Sequence, residues 1–189
     1  MSERFQNKYR IESARLKNWD YGSNASYFVT ICTKDRINFF GDVVDGEMVS
    51  NDICRIANDC WIQIPKHFPF VKLGEYVVMP NHVHGIVIID KPNDGRNVEA
   101  RLIAPLPTKP MDTPGGITGN KNPMLHENLS KIIRWYKGRT SFESRKIQAN
   151  FAWQSRYHDH IIRNDESFHK ITEYIKNNPL NWSDDQFYI

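Results

Sequence analysis

Two apolar runs rich in β-branched residues, Val71 to Met79 and His82 to Asp90, are separated only by Pro80 and Asn81. A turn this short, with proline at a position it favours, makes them an antiparallel pair of strands. The other periodic segments have to be arranged around that pair. Ser26 to Thr33 reads as a further half-buried strand, and Ile37 to Phe40 followed by Gly41 and Gly46 suggests an adjoining ribbon. Ser50 offers an N-cap to a helix over residues 51–67, where Ile53, Ile56, Ala57, Cys60, Trp61 and Ile64 recur at spacings of three and four before residues 65–69 end it.

Residues 127–140 place Leu129, Ile132, Ile133 and Tyr136 on one face and predict a second helix that stops near Gly138. Phe151 to Arg163 reads as a strand. A last helix, capped by Asp165, carries Phe168, Ile171 and Ile175 as its apolar stripe and ends at Asn177, Asn178 and Pro179. This order predicts an α+β, ferredoxin-like fold in which helices pack on one antiparallel sheet. Residues 91–126 hold six of the ten prolines and four of the ten glycines with no apolar period, so they read as a 36-residue loop or partly disordered insertion in a single domain of 189 residues.

The net charge of +3 is unevenly spread. Residues 131–163 contain eight basic side chains against Glu143 and Asp159, and residues 1–18 contain Arg4, Lys8, Arg10, Arg15 and Lys17 against Glu3 and Glu12. Two basic segments on an otherwise acidic body suit one surface for an anionic ligand, or else a set of solvated faces. Cys32, Cys54 and Cys60 form no C-x-x-C pair, which speaks against a disulfide framework and a thiolate zinc site and for a cytoplasmic chain. The longest apolar runs are far below the roughly 20 residues of a membrane span, so no membrane partner is expected.

The densest chemistry lies at the strand pair. His82 and His84 are two residues apart on a strand and share a face, with Val83 on the other, which presents two imidazoles to one metal ion. The alternative is a polar pair on an exposed strand face. Near the end of the last helix, Tyr174 and Asn178 stack one turn apart. An Asn178 carbonyl can complete a His-His-Asn set around a hard divalent ion while the phenol points at whatever that ion holds. Taken singly, Tyr174 is equally a core aromatic and Asn178 a C-terminal cap before proline.

Taken together, His82-Val-His84, the basic helix after it, Trp153 to Tyr157 and the closing Tyr174-Ile-Lys-Asn-Asn178-Pro179 resemble the HUH single-tyrosine transposases, and specifically the REP-associated tyrosine transposases. The resemblance runs from about Arg10 to Trp182, interrupted by residues 91–126. It implies an HUH endonuclease fold with His82, His84 and Asn178 as metal ligands and Tyr174 as nucleophile. Where insertion-sequence relatives commonly carry glutamine one turn after the tyrosine, this chain has Asn178, as in the REP-associated branch.

The implied reaction is nicking and rejoining of single-stranded DNA through a 5′-phosphotyrosine, at hairpin-forming REP-like repeats. A mixed nitrogen and oxygen ligand set fits Mg²⁺ or Mn²⁺. Single-stranded DNA and DNA hairpins are then the partners, and the family includes both monomers and homodimers. Lys131, Arg134, Lys137, Arg139 and Arg156 are candidate phosphate contacts, and Trp135, Tyr136 and Tyr157 candidate base-stacking platforms. His158, His160 and His169 read as surface residues. Two other readings stay open: a domesticated hairpin-binding protein that does not transpose, and a metal-dependent hydrolase that uses the H-x-H pair with water.

Overall fold

A computed structural model describes residues 16, 19–92 and 126–188. The insertion expected at residues 91–126 and the N-terminal basic segment fall, apart from flanking residues, outside the described residues. In chain order the elements are β1 (Ala25–Cys32), β2 (Gly41–Val44), β3 (Glu47–Ser50), α1 (Asp52–Ile62), α2 (Ile64–His67), β4 (Val71–Met79), β5 (His82–Ile89), α3 (Leu129–Ser144), β6 (His158–Ile162) and α4 (Asp165–Asn177). Strands β4, β5, β1 and β6 form one sheet in that spatial order, with every neighbouring pair antiparallel. This is the predicted α+β arrangement with helices packed on an antiparallel sheet.

Alternation along the strands divides the sheet into two faces. Tyr27, Val29, Ile31, Val83, Val87 and Ile89 join Ala57, Trp61, Ile132 and Tyr136 of α1 and α3 in the main core. Residues of the opposite parity on β5, Ile86 and Ile88, join Phe28, Ile162 and the α4 residues Phe168, Ile171 and Ile175. Helix α4 therefore covers the second face, and all eight residues of β5 are buried. Gly85 makes the first face fit: a Cβ there would stand 2.3 Å from Trp61 Cζ2, so only glycine lets the indole lie against the strand.

The register aligns Thr30 with His84 and Cys32 with His82 across β1 and β5. A register shift between Leu73 and Tyr76 in β4 adds a residue opposite β5.

Several boundaries differ from the expected ones. The ribbon is β2 and β3, turning at Asp45 and Gly46 with φ of 51° and 77°, whereas Phe39 and Phe40 are core residues. Asn51 rather than Ser50 caps α1, its side chain accepting from Cys54 N at 2.9 Å, and Asn164 rather than Asp165 caps α4 by accepting from Ser167 N at 2.7 Å. The helix expected over 51–67 breaks at Gln63 because Pro65 has no N–H to give. Helix α3 runs through Gly138 to Ser144, because glycine keeps its backbone N–H and costs a helix only roughly 1 kcal/mol.

Only residues 158–162 of the expected strand 151–163 are strand. The stretch before it is held differently: Lys137 Nζ donates to the carbonyls of Gln154 and Arg156, Trp153 Nε1 donates to Lys137 O at 3.2 Å, and Trp153 makes a single bridge to Thr33. The carbonyls of Gln154 and Arg156 thus serve a side chain of α3, while Ala152 O accepts from Lys34 N at 2.8 Å and Gln154 N donates to Cys32 O at 2.9 Å at the end of β1. Among the described residues no helix is long and apolar enough to cross a membrane.

Candidate active site

His82 and His84 project from β5 toward the face that α4 covers, with ring centroids 4.4 Å apart. They are 0% and 1% exposed, so the reading of an exposed polar pair fails. Each ring is oriented by its Nδ1. His84 Nδ1 is 2.9 Å from Thr30 Oγ1, its cross-strand neighbour, and His82 Nδ1 is 3.0 Å from Asn81 Oδ1. Asn81 in turn donates its Nδ2 to Phe187 O at 2.8 Å, which turns its carbonyl toward the imidazole. His82 therefore carries its proton on Nδ1 and presents an Nε2 lone pair.

That His82 Nε2 is buried with no hydrogen-bond partner among the described residues, and so is Asn178 Oδ1. Asn178 is the C-cap residue of α4, its N–H reaching Ile175 O at 3.3 Å, so the capping reading holds as well. Its Nδ2 donates to Asp185 Oδ2 at 2.7 Å, which leaves the carbonyl oxygen as the unsatisfied end. Tyr174, one turn earlier, is not a core aromatic: it is 42% exposed, with its ring set edge-on to Phe28 and its hydroxyl 3.2 Å from His84 Nε2 and 3.3 Å from Asp185 Oδ2. Tyr174, Asn178 and Asp185 line a surface cavity of about 280 Å³.

Asp185 goes unmarked in the sequence, yet it offers a carboxylate oxygen within 4.8 Å of ring nitrogens of both His82 and His84. It sits after a short helical turn, Trp182–Asp184, between two buried rings, Trp182 and Phe187, that pack on His82 at 5.8 and 4.6 Å. No spacing rule singles it out.

Burial sets the protonation states. It lowers His84 from 6.5 to about 4, against the opposing pull of Asp185, and holds His82 well below the usual value, with His84 and Arg36 adding to the effect and the Asn178 side chain opposing it. Burial and then the Asp185 carboxylate push the Tyr174 phenol up to about 12. Two neutral imidazoles with oriented rings and an unpartnered amide oxygen, with a carboxylate beside them, make a nitrogen and oxygen donor set that fits a hard divalent cation.

The candidate DNA contacts lie on the other side of the sheet. Lys131 pairs with Glu127 and Arg139 with Glu143, both one turn apart, whereas Arg134 and Arg156 are exposed and carry no ion pair among the described residues. Lys137 is half-buried, its Nζ engaged by the two backbone carbonyls and its pKa lowered by burial. Tyr136 is 0% exposed in the main core, so it cannot stack on a base, and Trp135 stacks on His67 at 4.6 Å. Tyr157 lines an open groove of about 950 Å³ with Arg134, Lys137, Arg145, Lys146 and Trp153. This is the larger concavity, and the histidine pair is not in it. His158, His160 and His169 are exposed, as expected.

No family model matches the chain. An uncharacterized protein of Haemophilus influenzae is 36% identical over 178 residues, which span 94% of this chain and 92% of that protein. Among solved structures, a REP-associated tyrosine transposase bound to a REP hairpin superposes with a TM-score of 0.55 at 17% identity, over 93% of this chain and 74% of the other. The chain thus belongs to one family with the Haemophilus influenzae protein, and it shares its fold with the solved REP-associated tyrosine transposase.

Proposed function

We propose that the protein is a metal-dependent transesterase of single-stranded DNA, a transposase that nicks and rejoins strands through a 5′-phosphotyrosine on Tyr174. The observation that carries this reading is the convergence of two unpartnered buried atoms, His82 Nε2 and Asn178 Oδ1, with a half-exposed phenol whose oxygen is 3.2 Å from His84 Nε2. His82, His84 and Asn178 would hold Mg²⁺ or Mn²⁺, which supplies charge withdrawal from a non-bridging phosphate oxygen. Tyr174 Oη gives up its proton to solvent and forms the bond to phosphorus as the bond to the 3′-oxygen breaks, and the 3′-oxygen takes a proton from solvent. An aryl phosphodiester keeps a good leaving group, so a DNA 3′-hydroxyl can reverse the step.

The α3 groove supports DNA as the partner. Its cationic side chains beside Trp153 and Tyr157 suit a phosphate backbone and stacked bases, and the structural relative's REP hairpin makes a hairpin-forming repeat the substrate we favour. Trp153 bridges Thr33, the residue after β1, while the β1 end Cys32 pairs with His82, so groove and histidines meet at one end of the sheet. A hairpin in the groove can send its single-stranded flank around that end to Tyr174. We place the protein in the cytoplasm, where Cys32, Cys54 and Cys60 would remain the buried free thiols they are here.

A phenol at the ligand set favours covalent transfer over the hydrolase reading, which has no use for Tyr174. The test is incubation with labelled single-stranded DNA flanking a hairpin, with Mn²⁺. A denaturation-resistant protein–DNA band is expected; cleavage without one would favour water as nucleophile, and hairpin binding without cleavage would favour a binding protein.

A further inference from the structure

Asp185 touches both working groups of α4 with one oxygen and the chain behind it with the other. Its Oδ2 accepts from Asn178 Nδ2 at 2.7 Å and from Tyr174 Oη at 3.3 Å, and its Oδ1 accepts from Phe187 N at 2.8 Å. Trp182 and Phe187, 7% and 6% exposed, anchor the segment on either side of it. An ionised carboxylate only accepts, whereas a carboxamide presents a donor at one end and an acceptor at the other. The partner of Asn178 therefore decides which end faces the histidines. With Nδ2 tied to Asp185, the carbonyl points inward, buried and unpartnered; with the amide turned over, two N–H donors would face the His82 and His84 nitrogens and no cation could bind.

We propose that Asp185 is the positioning residue of the site: it fixes the Asn178 carboxamide in the metal-binding orientation and holds the Tyr174 hydroxyl beside the same point. It also adds the single negative charge of the set, because His82, His84 and Asn178 are all neutral ligands. This inference rests on the reading of His82, His84 and Asn178 as a metal site and goes beyond it by assigning a residue that is not one of those three ligands.

The test is Mn²⁺ affinity by titration calorimetry on the full chain, with adduct formation measured alongside. Asp185→Ala is expected to weaken Mn²⁺ binding about 10–100-fold, the usual effect of losing an orienting partner of a metal ligand. The exchanged pair Asn178→Asp with Asp185→Asn is the sharper variant. Its carboxamide, now at position 185, can still accept from Phe187 N and can donate to the carboxylate now at position 178, so an oxygen again faces the histidines and the charge is conserved. The pair should regain most of the Mn²⁺ affinity lost in Asp185→Asn alone. Adduct formation should stay slow, since the amide no longer accepts from Tyr174. Wild-type affinity in Asp185→Ala, or an exchanged pair no better than Asp185→Asn, overturns the inference. His82→Ala distinguishes the underlying reading: if it binds Mn²⁺ like the wild type, the metal site itself is wrong.

Discussion

The Tyr174 hydroxyl stands 3.2 Å from His84 Nε2, the one nitrogen of that ring not taken by Thr30. The atom that would face a cation is thus the atom that meets the proposed nucleophile. A cation on Nε2 would displace the phenol from that nitrogen, leaving Asp185 as its partner at 3.3 Å. The phenol, pushed up to about 12, stays protonated at neutral pH by itself, so its activation depends on charge placed beside it.

Replacing Tyr174 by Phe should therefore abolish the covalent adduct while leaving Mn²⁺ affinity and hairpin binding close to wild type. The ring remains on Phe28, and the only hydrogen bonds lost are those of a 42% exposed tyrosine's hydroxyl. Denaturing gels with end-labelled DNA read the adduct. A shifted band that persists in Tyr174→Phe would move the nucleophile elsewhere.

The stability of the metal-free protein should fall on acidification. His82 and His84 take up their protons at lower pH in the folded chain than in the unfolded one, where histidine titrates near 6.5. Below about pH 6.5 the unfolded state binds more protons, so stability declines as pH falls, and the His84 share is fully lost only once pH drops past about 4. Each group adds a slope of up to about 1.4 kcal/mol per pH unit. Thermal melts of the chelated protein between about pH 7 and pH 5 measure this. A Tm unmoved over that range would contradict burial of neutral imidazoles.

Much of the site is legible in local spacing, because its parts obey strand and helix periods. His82 and His84 share a face by the two-residue period of β5, and Tyr174 and Asn178 share one by the turn of α4. Asp185 obeys neither: it reaches the site because Trp182 and Phe187 bury with Cys32 and Met79, a packing event between distant parts of the chain. Tyr136 shows the opposite error, where an aromatic among basic residues suggests stacking on a base although its place on the apolar face already puts it in the core. The segment 151–157 reads as strand because its composition suits one. Whether its carbonyls meet a neighbouring strand or Lys137 is decided by tertiary contacts.

Two glycine substitutions should have opposite signs. Gly85→Ala drives a Cβ to 2.3 Å from the buried Trp61 ring, behind the strand that holds both histidines, and should cost about 1–3 kcal/mol by overpacking. Gly138→Ala meets nothing within 4 Å on α3 and should stabilise by roughly 0.5–1 kcal/mol. Urea melts compare the pair. Equal effects would mean that the indole does not rest on β5.

Lys137 and Arg134 line the same groove but should fail differently when replaced by Ala. Lys137 donates to two backbone carbonyls of the segment carrying Tyr157, so its loss leaves those acceptors without their donor and should cost about 1–3 kcal/mol of stability as well as weakening hairpin binding. Arg134 is exposed, and its loss should change stability by no more than about 0.5 kcal/mol. It should weaken binding to every sequence alike and reduce the slope of log affinity against log salt by about 1, the signature of one phosphate contact. Fluorescence anisotropy with a labelled hairpin at several salt concentrations, beside thermal melts, separates the two. If Arg134→Ala leaves the salt slope unchanged, the nucleic acid does not run along this face of α3.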